Sequence, residues 1–180
     1  MRSLQLLALS GSLRSASFNT SAIKALTKMA PNQVDIRLGD ISLLPIFNPD
    51  REEEQIPAVA QLKAMLGRAD GLIIASPEYA HGISGPLKNA LDWLVNGSEF
   101  PNKPIMLIHT SPRASHAQRA LREVLTTMSG NIIEPATVVI PLLGSGLDTD
   151  GIAADNALIS ALLTGLSELS NAVKADSSAL

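Results

Sequence analysis

Ser10, Ser12, Arg14, Ser17 and Asn19 fall within one ten-residue window around a single Gly11, at the entry to a stretch whose apolar residues Phe18, Ala22, Leu26 and Met29 recur at helical spacing. The residues before it, Leu4-Gln5-Leu6-Leu7-Ala8-Leu9, form an apolar run. Strand, polar turn and helix start are the parts of an anion-binding turn. A helix N-terminus leaves unpaired N–H groups and a partial positive charge, so a phosphate placed there meets donors already aimed at it. The Ser12 and Ser17 hydroxyls and the Asn19 amide add donors, Gly11 lets the backbone bend and approach closely, and Arg14 supplies a charged fork. The plainer alternative is a polar strand-to-helix turn with an incidental arginine.

Positioning these groups requires a scaffold, and the rest of the chain supplies one. Apolar strand patterns recur at residues 34–38, 71–75, 104–109 and 132–140, the last bent or on an edge because of Pro135. Between them lie helical patterns: Val59, Leu62, Leu66 and Ala69; residues 86–95, with Pro86 in the first turn; Ala117, Leu121, Val124 and Met128. A last helix carries Leu158, Leu162, Leu166 and Leu169 after a mobile-looking loop at 144–150. Five alternations of strand and helix predict an α/β fold, a doubly wound five-stranded parallel sheet with helices on both faces. Residues 1–175 read as one domain, with a frayed tail at 176–180 and fraying from about Asn171. The connection over 39–56 is long for a compact domain and is expected to cover a site or join an interface; its Glu52-Glu53-Glu54 run reads as a solvated face. Ligands of open α/β sheets lie beyond the carboxyl ends of the strands, where the strand order switches. The loops after strands one, three and four, at 10–17, 76–85 and 110–116, are all polar, and their convergence is the expected site.

Composition narrows the function classes. A net charge of −3 with no basic cluster excludes a broad nucleic-acid surface. With no cysteine, disulfides, thiolate nucleophiles and cysteine metal sites drop out. Met1-Arg2-Ser3 runs straight into the first strand without a signal-peptide core, and no apolar run approaches the roughly 18 residues of a membrane span, so the expectation is a cytoplasmic chain away from membranes. The first loop has one glycine where a dinucleotide site wants G-x-G-x-x-G, lacks the Gly-Lys-Ser/Thr of a P-loop, and no G-x-S-x-G elbow exists. Ser10 and Ser76 stand where a phospho-receiver domain would carry carboxylates. One phosphate in the first loop fits a mononucleotide better than ATP.

Gly11-Ser12-Leu13-Arg14 with Ser17 and Asn19, together with Pro77-Glu78-Tyr79 and Gly85-Pro86-Leu87-Lys88-Asn89-Ala90-Leu91-Asp92-Trp93-Leu94, resembles the NAD(P)H-dependent FMN reductases, a flavodoxin-like group that includes quinone, chromate and azo-dye reductases. The resemblance runs from the first strand through the fourth helix. It implies strand order 2-1-3-4-5, FMN as cofactor, NADPH or NADH as hydride donor, a small-molecule acceptor such as a quinone or free flavin, and a homodimer or homotetramer. By position it implies that Ser10, Ser12, Arg14, Ser17, Phe18 and Asn19 surround the FMN phosphate and ribityl start. Pro77, Glu78, Tyr79, His81 and Gly82 would border the ring, and Ser111, Pro112 and Arg113 would close the third side. Two departures stand out: Ala80 replaces a common asparagine, and residues 111–116 replace a glycine-rich loop.

The resemblance puts the redox chemistry on the flavin, with no metal and no catalytic side chain. His81 either contacts the ring or does not; His109 reads as a satisfied core or capping residue, and His116 as a helix cap or a substrate contact. Glu78 reads as a carboxylate anchoring its loop, and Asp92 and Trp93 as core and dimer packing. Two other functions share the scaffold: a flavodoxin-type electron carrier, whose flavin is commonly shielded by aromatic rings, and a flavin-free interaction domain. Tyr79 is the only aromatic ring of the second loop and the third has none among Phe, Tyr and Trp. An uncovered ring face favours an enzyme that receives donor and acceptor in turn.

Overall fold

A computed structural model describes residues 2–177. The chain runs β1 (Leu4–Ser10), α1 (Phe18–Met29), β2 (Val34–Gly39), α2 (Pro57–Arg68), β3 (Gly71–Ala75), β4 (Glu78–Tyr79), β5 (Gly82–Ile83), α3 (Gly85–Asp92), β6 (Pro104–His109), α4 (Ser115–Thr127), β7 (Asn131–Ile132), β8 (Val138–Val139), α5 (Thr149–Ala154) and α6 (Asn156–Ser177). The main sheet is parallel in the order β2-β1-β3-β6, and β7 and then β8 pair in succession along the outer edge of β6. This is the order that the resemblance implies, with the fifth strand in two pieces. Its register sets Ser10 beside Ala75 and Ala75 beside Ile108, so the loops leaving β1, β3 and β6 start level at one edge.

Both faces of the sheet are covered, which is why its strands read as unbroken apolar runs. Leu6, Ala8, Ile73, Ala75, Met106 and Ile108 pack under α1, α5 and α6. Leu7, Leu9, Leu72, Ile74, Ile105 and Leu107 face Leu62 and Leu66 of α2, Leu87 and Leu91 of α3, and Leu121 and Leu125 of α4. Among the described residues no helix is long and apolar enough to cross a membrane.

Four details differ from the sequence expectation. The fifth strand is not continuous over 132–140: a 3-10 turn at Glu134–Ala136 splits it, because Pro135 donates no hydrogen bond and holds φ near its helical value. The segment after the turn continues by backbone bonds, Ile140 N–H to His109 O at 2.8 Å and Leu142 N–H to Thr110 O at 3.0 Å. The 76–85 loop contains the β4–β5 hairpin. Residues 149–154 form a separate helix, α5, with Asp148 as its cap. Finally, α6 continues past Asn171 to Ser177; the part of the expected tail at Ser178–Leu180 lies outside the described residues.

The 39–56 connection is bound to α3 rather than left free. Asn89 donates to Pro45 O at 2.9 Å and accepts from Phe47 N–H at 2.7 Å, Trp93 Nε1 donates to Pro45 O at 2.8 Å, and the Phe47 ring meets Trp93 edge-on at 5.1 Å. Trp93 thus packs inside the chain, while Asp92 pairs with Lys88 on the surface of α3. The acidic run is exposed at Glu53 and Glu54; Glu54 pairs with Arg51, and Glu52 accepts from Asn96 at 2.8 Å.

On α6, Gly165 allows the helix to sit on the sheet. A Cβ there would lie 2.4 Å from Val138 Cγ2, 2.8 Å from Met106 Cε and 2.9 Å from the Ala136 carbonyl oxygen. Gly165→Ala gains about 1 kcal/mol of helix propensity but overpacks against backbone, which costs roughly 1–3 kcal/mol. Urea denaturation should show a net loss of stability; a gain would mean that α6 sits more loosely on the sheet than this contact implies.

Candidate functional site

The turn after β1 is built by a chain of short polar contacts. Ser10 Oγ lies 2.8 Å from Thr20 Oγ1 and accepts from Ser12 N–H at 3.3 Å, which ties the end of the strand to the first turn of α1. Ser17 caps that helix through Thr20 N–H at 3.3 Å, leaving the amides of Phe18 and Asn19 without an intrahelical acceptor. Asn19 is buried, its Oδ1 accepting from Thr110 Oγ1 at 3.1 Å. The Arg14 guanidinium is exposed and has no acid partner among the described residues. Gly11 is required for an approach within the protein: a Cβ there would stand 2.8 Å from Ser84 Oγ, the hydroxyl that donates to the Gly11 carbonyl.

The loop after β3 turns back on itself through Ala80 (φ 48°) and His81 (φ 59°), both left-handed. That pair of angles is the tight hairpin turn that asparagine and glycine usually provide, and a residue with a Cβ is strained there. Two contacts with α4 hold the hairpin down. Glu78 Oε2 accepts from Ala117 N–H at 2.8 Å, capping a helix whose own cap residue, Ala114, offers no side-chain acceptor. The His81 ring stacks flat on His116, with centroids 4.2 Å apart and planes 9° off parallel. Glu78 is therefore an anchor, as expected, but it anchors its loop to α4, beyond the helix that follows the loop in the chain.

His109 ends β6 and is buried, 5% exposed, with Nε2 lacking a hydrogen-bond partner. It is not the satisfied core histidine expected from sequence. Burial, and next the nearby Arg122 guanidinium, push its imidazole down to about 4, with the Glu134 carboxylate opposing, so it is neutral near pH 7.

The three loops enclose a cleft of about 350 Å³. Of the fourteen residues that the resemblance places at the site, ten line it: Ser12, Arg14, Ser17, Phe18 and Asn19 from the first loop, Pro77, Glu78 and Tyr79 from the second, Ser111 and Arg113 from the third. Ser10, His81, Gly82 and Pro112 do not. Ser10 supports the turn from behind, and the left-handed turn carries His81 to α4. Pro112 faces a neighbouring hollow beside Pro141 and Leu143. Ser76 and Thr110, inside the expected loops though not singled out, also line it, and sequence reasoning missed Leu143 and the inward role of His109. Position at a strand end was the available signal for Thr110 and His109; Leu143, past the broken fifth strand, carried none. Seven polar residues are buried among those described, Ser10, Ser12, Ser17, Asn19, Ser84, His109 and Thr110, and all stand at this edge of the sheet.

Comparison with known proteins agrees with this geometry. The family model described as NADPH-dependent FMN reductase matches residues 4–143, which span all three loops. An NAD(P)H-dependent FMN reductase of Pseudomonas aeruginosa is 32% identical over 159 residues, covering 85% of this chain and 86% of the relative. A quinone reductase of Escherichia coli is 35% identical over 141 residues, 72% of this chain and 73% of the relative. Among solved structures, the flavoenzyme NAD(P)H:(acceptor) oxidoreductase FerB of Paracoccus denitrificans shares the fold with a TM-score of 0.72 at 23% identity, over 93% of this chain and 98% of that one.

Two expectations follow from the site's own contacts. Glu78→Ala removes the α4 cap and should cost about 1 kcal/mol, with faster amide exchange in the first turn of α4, whereas Glu78→Gln keeps an acceptor and most of the stability. His109 is ordinarily near 6.5 when unfolded and near 4 when folded, so below about 6.5 the unfolded chain binds the extra proton first. Its share of the stability, on the order of 3 kcal/mol, is complete above pH 6.5 and is lost as pH falls toward 4. Denaturation midpoints of His109→Gln should have a shallower slope across that window than those of the parent chain.

Proposed function

The chain belongs to the NADPH-dependent FMN reductase family, and from that premise we propose that it acts in the cytoplasm as a single FMN-binding domain, reducing quinones or similar small acceptors with NAD(P)H. Its reaction class is that of the family, oxidoreduction between a reduced nicotinamide and an acceptor through FMN. The observation that carries the site assignment is the unpaired positive charge at the β1–α1 turn. Arg14 has no acid beside it, and the amides of Phe18 and Asn19 have no acceptor inside the helix. A phosphate monoester supplies what both lack. The residues present therefore fit FMN, which when bound supplies the electron chemistry between donor and acceptor.

The chain's own residues do the rest. Ser12 and Ser17 accept backbone N–H bonds at Oγ, from Arg14 at 3.4 Å and Thr20 at 3.3 Å, which leaves each hydroxyl proton available to a phosphate oxygen. Asn19, held by Thr110, keeps its amide nitrogen as a donor. The β4–β5 hairpin, pinned by Glu78 and the stacked histidines, fixes Pro77 and Tyr79 as one wall, and Ser111 and Arg113 form the facing wall. A neutral His109 adds no charge beneath the cleft. Self-association as a homodimer or homotetramer is supported by Leu43 and Ile46, which stand 72% and 86% exposed on the 39–56 connection.

Titration of the apoprotein with FMN, followed by quenching of flavin fluorescence, tests the site. Arg14→Ala should weaken binding by roughly 1.5–3 kcal/mol, about ten- to a hundredfold. Unchanged affinity would place the phosphate elsewhere. Rapid mixing of the FMN-loaded chain with NADPH or NADH should bleach the flavin absorbance, and a quinone should restore it.

A further inference from the structure

Four of the residues that line the cleft are of acidic or basic type: Arg14, Glu78, His109 and Arg113. Glu78 is engaged at the amino end of α4, where it accepts from Ala117 N–H, and His109 is neutral near pH 7. Arg14 stands at the β1–α1 turn, beside the free amides of Phe18 and Asn19, where a phosphate answers it. Arg113 remains. It comes from the loop after β6, on the facing wall, and has no acid partner among the described residues. In a chain of net charge −3, a second unmatched arginine in one cleft is not the by-product of a basic surface.

The backbone around Arg113 leaves the guanidinium a definite task. Pro112 has no N–H. The Arg113 N–H donates to Ser111 Oγ at 3.3 Å, and the Ala114 N–H to the Ser111 carbonyl at 3.2 Å. From 112 to 114 the third loop therefore has no amide left for a ligand. The guanidinium is the donor it offers there, and it carries a full charge where an amide would carry a partial one. The side chain is exposed, so its fork is free to turn to whatever fills the cleft.

We propose that Arg113 holds the negative charge that reduction leaves on the FMN ring, so that the cleft binds reduced FMN more tightly than oxidised FMN. The inference rests on the reading of the chain as an FMN-dependent oxidoreductase. With the phosphate at the first loop, the part of the cleft left for the ring lies between the second loop and the third. Hydride transfer adds two electrons and one proton to the ring and oxidises the nicotinamide. The ring then carries one negative charge unless a second proton follows. Oxidised FMN thus has one anionic end and reduced FMN has two, and the cleft presents two unmatched arginines on facing walls. A cation that pairs with only one redox state shifts the balance between the two, which is how a protein tunes a flavin.

Reduction of the FMN-loaded chain against a reference dye measures the midpoint potential without turnover, and quenching of flavin fluorescence measures the affinity for oxidised FMN. In Arg113→Ala, reduced FMN should bind about three- to tenfold more weakly while oxidised FMN binds as it does to the parent. The midpoint then falls by about 14–30 mV. Arg113→Lys should keep most of the parent's midpoint. Arg119→Ala, which removes the same charge from α4 outside the cleft lining, should leave it unmoved. The bend in the plot of midpoint against pH, where the reduced ring takes its second proton, should rise by about half to one pH unit in Arg113→Ala. Added salt should lower the midpoint of the parent toward that of the variant, a readout that needs no substitution. A midpoint unmoved in Arg113→Ala, an equal fall in Arg119→Ala, or equal weakening of oxidised and reduced FMN overturns the proposal. A parent chain that binds FMN in neither state refutes the oxidoreductase reading, and the proposal with it.

Discussion

The Ser84 hydroxyl donating to the Gly11 carbonyl is the contact on which the cleft depends. Ser84 has no solvent exposure and also caps α3, accepting from Leu87 N–H at 3.4 Å. One side chain therefore sets the start of α3 against the turn that follows β1. Neither position tolerates much change: a Cβ on Gly11 would also lie 3.0 Å from Ser76 Oγ, and a buried carbonyl deprived of its donor costs about 1–3 kcal/mol. With these two loops locked, the third is positioned by Glu78, which reaches across to cap α4, and by Thr110, which bonds Asn19. The walls are coupled pairwise, each through one or two hydrogen bonds that water cannot replace in kind where the groups are buried.

The same logic explains where polar atoms are buried. A sheet covered on both faces has no room for unpaired donors or acceptors in its interior, and its middle is Leu, Ile, Val, Ala and Met. At its carboxyl edge the backbone must leave the ladder, and hydroxyl and amide side chains replace the lost partners. That edge is thereby polar, rigid and partly unsatisfied. The orphaned Nε2 of His109 and the unpaired Arg14 belong there because a ligand, unlike a strand, is able to complete them.

What was legible in the sequence follows from how local each signal is. The apolar runs of β1, β3 and β6 and Pro86 in the first turn of α3 depend on neighbours in the chain, and they appear in the structure where their patterns put them. The β4–β5 hairpin was hidden because Ala80-His81 lacks the residues that favour left-handed angles; its turn is imposed from outside, by α4. The split fifth strand was half visible in Pro135. His109 misled because only the packing of α4 above it, with Arg122, determines that its ring is buried and unpaired. The resemblance put Ser10 with the phosphate contacts, whereas the bond of its hydroxyl to Thr20 is a tertiary contact that no local pattern announced.

The level register of β1, β3 and β6 has a cost for assembly. The cleft draws on residues near 10, 76 and 110, which come together only when the central strands have paired over much of the chain. No fragment missing one of those strands contains it, so whatever occupies it recognises the finished fold and nothing earlier. Occupancy then works as a protective weight on the folding balance: at a hundred times its dissociation constant, a bound molecule adds about 2.7 kcal/mol against unfolding. With FMN as the proposed occupant, scarcity of the flavin would leave the chain easier to unfold by that margin as well as idle.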